Sequence, residues 1–158
     1  MSTQCRFQRI SELWVQRVLE GEEWLLDVPI ANLDIGIALA GIGYLLYKVD
    51  PNNLTLELVF HSEEFLFPLE DGNPADYMAY LSPKEVLAIS EELSRLPDCR
   101  VLSGFHTEDF QQNRIYLSTY EWTGSEIERL WLLETLRNIR HFFLDAARGG
   151  HCILRSLG

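Results

Sequence analysis

The sequence contains few cysteines, and their placement excludes the structures that cysteines usually build. Cys5, Cys99 and Cys152 are the three cysteines among 158 residues, and none belongs to a CxxC pair. An odd number of widely spaced cysteines predicts neither a disulfide framework nor a zinc ribbon. We therefore expect free thiols in a reducing compartment, which makes a cytoplasmic localisation the simplest prediction.

Positive charge is also scarce in this chain. It has 13 Lys and Arg against 24 Asp and Glu, which leaves a formal net charge of -11. A nucleic-acid-binding surface needs clustered Lys and Arg that release counterions, so we expect no nucleic-acid partner, and anionic membrane surfaces are disfavoured for the same reason. The excess of acid favours a basic protein partner, because opposite charges steer association.

Long hydrophobic runs are missing as well. The longest, residues 35–46, has 12 residues, whereas a helix that spans a bilayer needs about 20. Near the start of the sequence, Arg6 and Arg9 are followed by no apolar stretch, so we do not expect these residues to form a secretory signal. We expect no membrane partner and interpret the run as a buried core helix.

What remains is the composition of one ordinary globular domain. Hydrophobic residues make up 47% of the chain and charged residues 23%. A chain of this size buries roughly 70% of its unfolded surface, which is enough for a core without disulfides or a structural metal. No linker or repeat divides it, so we predict a single domain over residues 1–158. Residues 1–100 carry a net charge of -10 and residues 101–158 a net charge of -1, which predicts one acidic face.

Hydrophobic spacing predicts the elements of the first half. Apolar residues at helical spacing predict an amphipathic helix over residues 11–20 and an apolar helix over residues 33–48. Alternation predicts a strand over residues 54–60, and residues 76–81 are predicted to form another. The second helix contains three glycines that form no GxGxxG fingerprint and that we assign to close helix packing: Gly36, Gly41 and Gly43.

Two helix starts in the second half are marked by capping residues. Residues 82–85, Ser-Pro-Lys-Glu, have the composition of a capping box with proline at the first helical position, and the helix ends before Pro97. Residues 123–126, Thr-Gly-Ser-Glu, predict a second start, which opens a long central helix to about Arg148. Residues 151–157 follow a glycine pair as a short strand. We predict an α+β fold, mainly helical, with a small sheet of three to four short strands.

Residues 76–158 carry features of a known family. The segment DYMAYLSPKEV, the later Trp122, and the segment IRHFFLDAARGG before the last strand together resemble the YfbM-like family of uncharacterised bacterial proteins. The resemblance implies a compact single-domain α+β fold and a bacterial cytoplasmic protein, but no activity, because the family has no established reaction. In the first half, Leu33-Asp34 leads into residues 35–46 without the Trp and later His of the family's Leu-Asp-Lys-x-Trp helix.

Histidines and glycines do not form a recognisable catalytic or metal motif. No HExxH or HxH spacing occurs, and no GxSxG or Walker sequence is present. We therefore expect no metal and no cofactor. The four histidines are His61, His106, His141 and His151.

Acidic residues are densest in residues 57–76. Six acids occur there without Lys or Arg, interleaved with Phe60, Phe65 and Phe67. One interpretation is a solvated acidic loop that its phenylalanines anchor to the core. The other is a protein-binding patch, in which an exposed aromatic side chain is surrounded by carboxylates. The candidate binding residues are Glu63, Glu64, Phe65, Phe67, Glu70, Asp71 and Asp76.

Two functional hypotheses follow from these features. The first is a non-enzymatic acidic protein-binding domain, in its most concrete form an immunity-type inhibitor that neutralises a basic bacterial toxin by direct binding. The alternative is a small hydrolase or small-molecule-binding protein with a cleft near the long C-terminal helix. There His141 and Asp145, four residues apart on one helical face, would act as acid and base. A homodimer formed through the phenylalanine-rich segment would show the same surface features as an acidic protein-binding domain.

Overall fold

The computed structural model describes residues 5–20, 30–36, 38–61, 78–115 and 120–157. The elements in chain order are β1 (Cys5–Ile10), α1 (Glu12–Leu19), β2 (Ala31–Asp34), α2 (Ala38–Val49), α3 (Leu54–Glu57), β3 (Met78–Leu81), α4 (Pro83–Arg95), α5 (Asp98–Leu102), α6 (Thr107–Gln112), α7 (Glu126–Gly149) and β4 (Cys152–Leu157). Within the described ranges, no helix combines the length and the apolarity that crossing a bilayer requires.

The four strands form one antiparallel sheet in the order β2-β1-β4-β3. The first and last strands of the chain therefore lie side by side in its middle. Phe7 of β1 is opposite Leu33 of β2 and Arg155 of β4, and this face of the sheet carries the main core. The predicted α+β class, with a small sheet and a long C-terminal helix, is confirmed.

The long helix α7 is central, as predicted, and packs against α2, α4 and α5. Its N-cap is Ser125 rather than Thr123, and the glutamate that closes the capping box is Glu128. The helix ends at Gly150, whose φ of 66° is the left-handed conformation that glycine adopts easily. Its fully buried side chains include Leu132, Leu136, Ile139 and Phe143.

The other predicted capping box is confirmed where the sequence indicates it. The hydroxyl of Ser82 accepts a hydrogen bond from the backbone N–H of Glu85, and the Glu85 carboxylate accepts one from the backbone N–H of Ser82. Pro83 is the first residue of α4. A proline costs nothing there because its missing N–H would have no partner in the helix.

The helix predicted over residues 33–48 is wrong at its start. Leu33 lies in β2, which pairs with β1, and Gly36 then turns the chain with a φ of 51° before α2 begins at Ala38. The assignment of Gly36 to helix packing is therefore wrong. The prediction failed because pairing with a strand far away in sequence outweighed the local helical pattern.

The strand predicted over residues 54–60 is also wrong. These residues form the short helix α3 and the turn after it, and the side chain of Asn53 accepts the capping hydrogen bond from the backbone N–H of Leu56 at 3.0 Å. The buried side chains are Leu56 and Val59. Their spacing of three residues belongs to a helical turn, and it outweighed the alternation that favoured a strand.

Three elements were not predicted at all. β1 has polar side chains at Arg6, Gln8 and Arg9, which hide its alternation. α5 and α6 have 5 and 6 residues, too few for a helical periodicity to show in the sequence. Both helices add side chains to the main core, Val101 from α5 and Phe110 from α6.

Candidate functional site

An open groove of about 600 Å³ lies along one face of α2. The α2–α3 groove, as we name it, is formed by α2, by α3 with its flanking turns, and by Ile115. Its volume falls within the range of small-molecule and peptide sites, and much of its lining is apolar. The lining residues on α2 are Leu39, Ala40, Gly43, Tyr44, Leu46 and Tyr47, and Asp50 directly follows the helix.

The packing of α2 explains why the described residues leave this face uncovered. The opposite face is buried through Ala38, Gly41, Ile42 and Leu45. A Cβ at Gly41 would lie 3.0 Å from carbon atoms of Leu132 and Trp122, so the absence of a side chain there lets α2 approach α7 closely. Four of the groove residues, Ala40, Gly43, Tyr47 and Asp50, are spaced by three or four and so form a stripe separate from the buried one.

Phe60 is a wall of the groove as well as a part of the core. A Cβ at Gly43 would lie 3.3 Å from the Phe60 ring, so the ring rests against the bare backbone of α2. Phe60 is half-buried and packs against the main core. For this phenylalanine the structure therefore supports core anchoring together with a partly accessible ring.

A buried arginine forms hydrogen bonds to the turn that contains Phe60. Arg155 of β4 donates a hydrogen bond to the carbonyl of Val59 at 2.8 Å and a longer one to that of Leu58 at 3.4 Å. Its Nε atom is buried without a hydrogen-bond partner among the described residues. Burial lowers the pKa of Arg155. The central strand of the sheet thus positions one wall of the groove.

The charged side chains that line the groove are both carboxylates, Asp50 and Glu57. No Lys or Arg is among the described lining residues, and neither carboxylate forms an ion pair with a described cation. Asp50 accepts a long hydrogen bond of 3.4 Å from Asn53. Both residues are exposed, so the groove offers an apolar floor with free negative charge beside it.

Lys48, which lies on α2, forms its hydrogen bonds with groups outside the groove. The Nζ atom of Lys48 donates to Asp109 at 2.6 Å and to the carbonyl of Gly104 at 3.0 Å. Tyr44, which lines the groove, donates its hydroxyl to the same Asp109 at 3.0 Å. The Lys48 ammonium lowers the pKa of Asp109, while burial and Asp109 raise the pKa of Tyr44. Tyr44 is therefore a protonated donor, and this network neutralises Lys48.

The candidate residues of the acidic segment lie outside the described residues. These are Glu63, Glu64, Phe65, Phe67, Glu70, Asp71 and Asp76. The described chain stops at His61, which lines the groove and is exposed. The first of these candidate residues, Glu63, therefore follows a residue of the groove by two positions in sequence.

The alternative pair, His141 and Asp145, lies on an exposed face of α7. Neither side chain lines the α2–α3 groove, and among the described residues no hydrogen bond joins the two. A shallower depression between α4 and α7 is lined by Leu144 and Arg148, among others, but not by this pair. The hydrolase hypothesis stays a prediction.

Two of the three cysteines are buried, whereas Cys99 is exposed, and the described residues contain no cluster of metal ligands. No three or more His, Cys, Asp or Glu side chains are grouped there in a way that would hold a metal ion. Cys5 and Cys152 are buried, and burial raises the pKa of Cys5 to about 12 and also raises that of Cys152. Thiols held protonated in this way are poor nucleophiles.

The groove was missed in the sequence because its residues were assigned to an all-round buried helix. Ala40, Gly43 and Tyr47 repeat at spacings of three and four. Small residues at this spacing also occur where helices pack closely, so the sequence carried no signal that separates this stripe from the buried one. The wall formed by Phe60 could not be anticipated while residues 54–60 were predicted to be a strand.

These features define an α+β protein with a four-stranded antiparallel sheet, a long C-terminal helix and an apolar groove with carboxylates. A family model described as a domain of unknown function, DUF1877, matches residues 1–156, and the chain belongs to this family. The predicted YfbM-like resemblance is thereby confirmed, and it extends beyond residues 76–158.

A similar solved structure is YfbM from Escherichia coli, described as a protein of unknown function. The two chains are 18% identical with a TM-score of 0.71, and the match covers 98% of this chain and 99% of that one. At this identity the likeness shows a shared fold. No curated protein matches the chain significantly.

Proposed function

We propose that this chain is a non-enzymatic acidic protein-binding domain that recognises a basic protein partner. The observation that carries the proposal is the α2–α3 groove, whose charged lining residues, Asp50 and Glu57, are both carboxylates without an ion-pair partner among the described residues. In its most specific form the protein is an immunity-type inhibitor that neutralises a cationic toxin by covering it.

The apolar lining and the exposed carboxylates of the groove have different roles in such a complex. Burial of apolar surface in the groove supplies affinity, at about 25 cal/mol for each Å² removed from water. Exposed carboxylates add less affinity, but they accelerate association and select partners with Lys or Arg beside the apolar contact. The formal net charge of -11 acts at longer range in the same direction.

The acidic segment belongs to the proposed binding surface. Glu63 and Glu64 follow His61 of the groove by two and three residues in sequence. We propose that the remaining candidate residues, three further carboxylates and two phenylalanines, belong to the same surface. These residues are Phe65, Phe67, Glu70, Asp71 and Asp76.

Charge reversal in the groove tests the proposal. The variant Asp50→Lys/Glu57→Lys is compared with Glu121→Lys/Glu134→Lys, which changes the net charge equally at exposed positions outside the groove. Immobilised wild-type protein is expected to retain a basic protein from an extract of the source organism. With that protein purified, the groove variant should associate about tenfold more slowly at low salt, and the control should change far less.

Two results would contradict the proposal. In the first, wild-type protein retains no basic protein that moderate salt releases. In the second, a retained basic protein associates with the groove variant and with the control at the same rate. The variant with Glu63, Glu64, Glu70 and Asp71 changed to Lys separates the contribution of the acidic segment, because it leaves Asp50 and Glu57 intact.

A further inference from the structure

We infer that the α2–α3 groove receives an amphipathic helix of the partner, with apolar anchors on one face and Lys or Arg near its end. The inference rests on the proposed function, since it takes the partner to be a basic protein. It adds the secondary structure of the bound segment, its approximate length and the position of its charges.

The length of the groove matches a short helix. The groove lining runs from Leu39 on α2 to Asp50 just after the helix, which is about 16 Å at 1.5 Å per residue. A bound helix of three turns would cover this distance and would present apolar side chains at positions i, i+4 and i+7. Ala40, near the N-terminal end of the stripe, has a small side chain, so a second helix can approach α2 there, whereas the Phe60 ring already covers Gly43.

The apolar floor favours a helix over an extended segment. A bound strand needs backbone partners for its N–H and C=O groups, which a sheet edge provides. The groove is built from helices and turns, and its described lining includes no strand residue. An extended chain would therefore leave polar backbone groups unpaired against apolar side chains, whereas a helix satisfies its own backbone.

The charges indicate where the basic residues of the bound helix lie. Asp50 directly follows the C-terminal end of α2, where the aligned peptide dipoles also favour a cation. Glu57 ends α3 and also lines the groove. Tyr47, whose side chain is 60% exposed, is one turn before Asp50. A Lys or Arg of the bound helix, one turn beyond its last apolar anchor, would lie beside Asp50 and Glu57.

A synthetic peptide tests the inference directly. The probe is a fluorescent peptide of about 14 residues, long enough for nearly four helical turns, with Leu at i, i+4 and i+7 and two Lys at one end. A peptide of the same composition, scrambled to destroy the apolar stripe, is the control. Anisotropy titrations of wild-type protein are expected to show at least tenfold tighter binding of the patterned peptide.

Protein variants locate the peptide. Ala40→Trp fills the groove without changing charge, Tyr47→Ala removes an exposed side chain, and Asp50→Lys/Glu57→Lys reverses the charge. Each should weaken binding of the patterned peptide by about tenfold or more, whereas Glu121→Lys/Glu134→Lys should stay within about twofold. Circular dichroism shows which variants are folded, and Tyr47→Ala tests the site if Ala40→Trp does not fold.

Several results would overturn the inference, and they are distinguishable from failure of the proposed function. Equal affinity for the patterned and scrambled peptides would show unspecific attraction between charges. If small apolar amines bind wild-type protein but not Ala40→Trp, while no peptide binds either protein, the groove is a small-molecule site. If the natural basic partner binds Ala40→Trp, Tyr47→Ala and wild-type protein equally, the helix inference fails and the proposed function remains. If the peptide binds the groove but no basic protein does, the proposed function fails.

Discussion

At the scale of single residues, Glu128 is the carboxylate that organises the largest number of donors in the described structure. It accepts hydrogen bonds from the Tyr120 hydroxyl at 2.6 Å and from the backbone N–H groups of Thr123, Gly124 and Ser125. It is buried, with 4% of its surface exposed. The carboxylate thus fixes the segment that leads into α7. In this segment Tyr120 packs against Trp122 and against Trp131 of α7.

Replacing Glu128 by Gln should destabilise the protein in a pH-dependent way. Burial raises the pKa of Glu128, but the Tyr120 hydroxyl and the three backbone donors lower it more, so the folded value lies below 4.5. A lowered pKa contributes stability that is present above the unfolded value and is lost as the pH falls through the folded value. We expect a loss of about 2 kcal/mol at neutral pH, and a smaller loss near pH 3.

Urea denaturation of wild-type protein and Glu128→Gln at both pH values measures this difference. Glu126→Gln, an exposed change in the first turn of α7, is the control and should have little effect. A loss of stability for Glu128→Gln that is equal at both pH values would show that the ionised carboxylate is not its cause.

At the scale of elements, Arg140 of α7 connects three helices. Its guanidinium donates to the carbonyls of Leu93 and Leu96 at the C-terminal end of α4, and to Asp98 at the start of α5 at 2.6 Å. Arg137 donates to the same carboxylate from a more exposed position. Hydrogen bonds from Arg140 and then from Arg137 lower the pKa of Asp98. Arg137 and Arg140 of the long helix therefore have a structural role.

Removing the two arginines should have unequal effects. Arg140→Gln removes the guanidinium from two carbonyls at the end of α4 and one of the two cations that bind Asp98, and we expect a loss of about 2 kcal/mol. Arg137→Gln removes one exposed ion pair, which contributes under about 1 kcal/mol. Thermal and urea unfolding of both variants measure the difference. Equal losses would mean that the carbonyl contacts of Arg140 contribute nothing.

At the scale of the whole molecule, the dominant feature is the net charge of -11. Like charges that folding brings together repel one another and reduce the stability of the compact state. The ion pairs in the described structure are few, and Lys48–Asp109 and Arg140–Asp98 are the less exposed of them. We therefore expect repulsion to outweigh attraction over the surface as a whole.

Added salt should accordingly stabilise the protein. Raising NaCl from about 0.01 M to about 1 M shortens the Debye length from about 30 Å to about 3 Å, and we expect a gain of about 1 kcal/mol from weaker self-repulsion. Thermal melting at increasing NaCl measures it. Glu121→Lys/Glu134→Lys, which carries less net charge, should gain less, and a melting temperature that falls with salt in both proteins would refute the expectation.

The sequence by itself determined the parts of the fold that depend on neighbouring residues. The capping box of Ser82 and Glu85, the long helix up to Gly150 and the last strand were all visible in it. Caps and continuous helical stripes act over three or four residues, so local patterns are sufficient to specify them. The α+β class and the likeness to the YfbM-like family followed from these elements.

Tertiary structure decided the rest, because the interactions involved join distant parts of the chain. Pairing with β1 made residues 31–34 a strand, and packing on the core made residues 54–57 a helix. Arg155, almost at the end of the chain, positions the turn at Val59 by a hydrogen bond across 96 residues. The net charge indicated the kind of partner that we propose, but the groove in which we place it exists only once these distant segments are packed together.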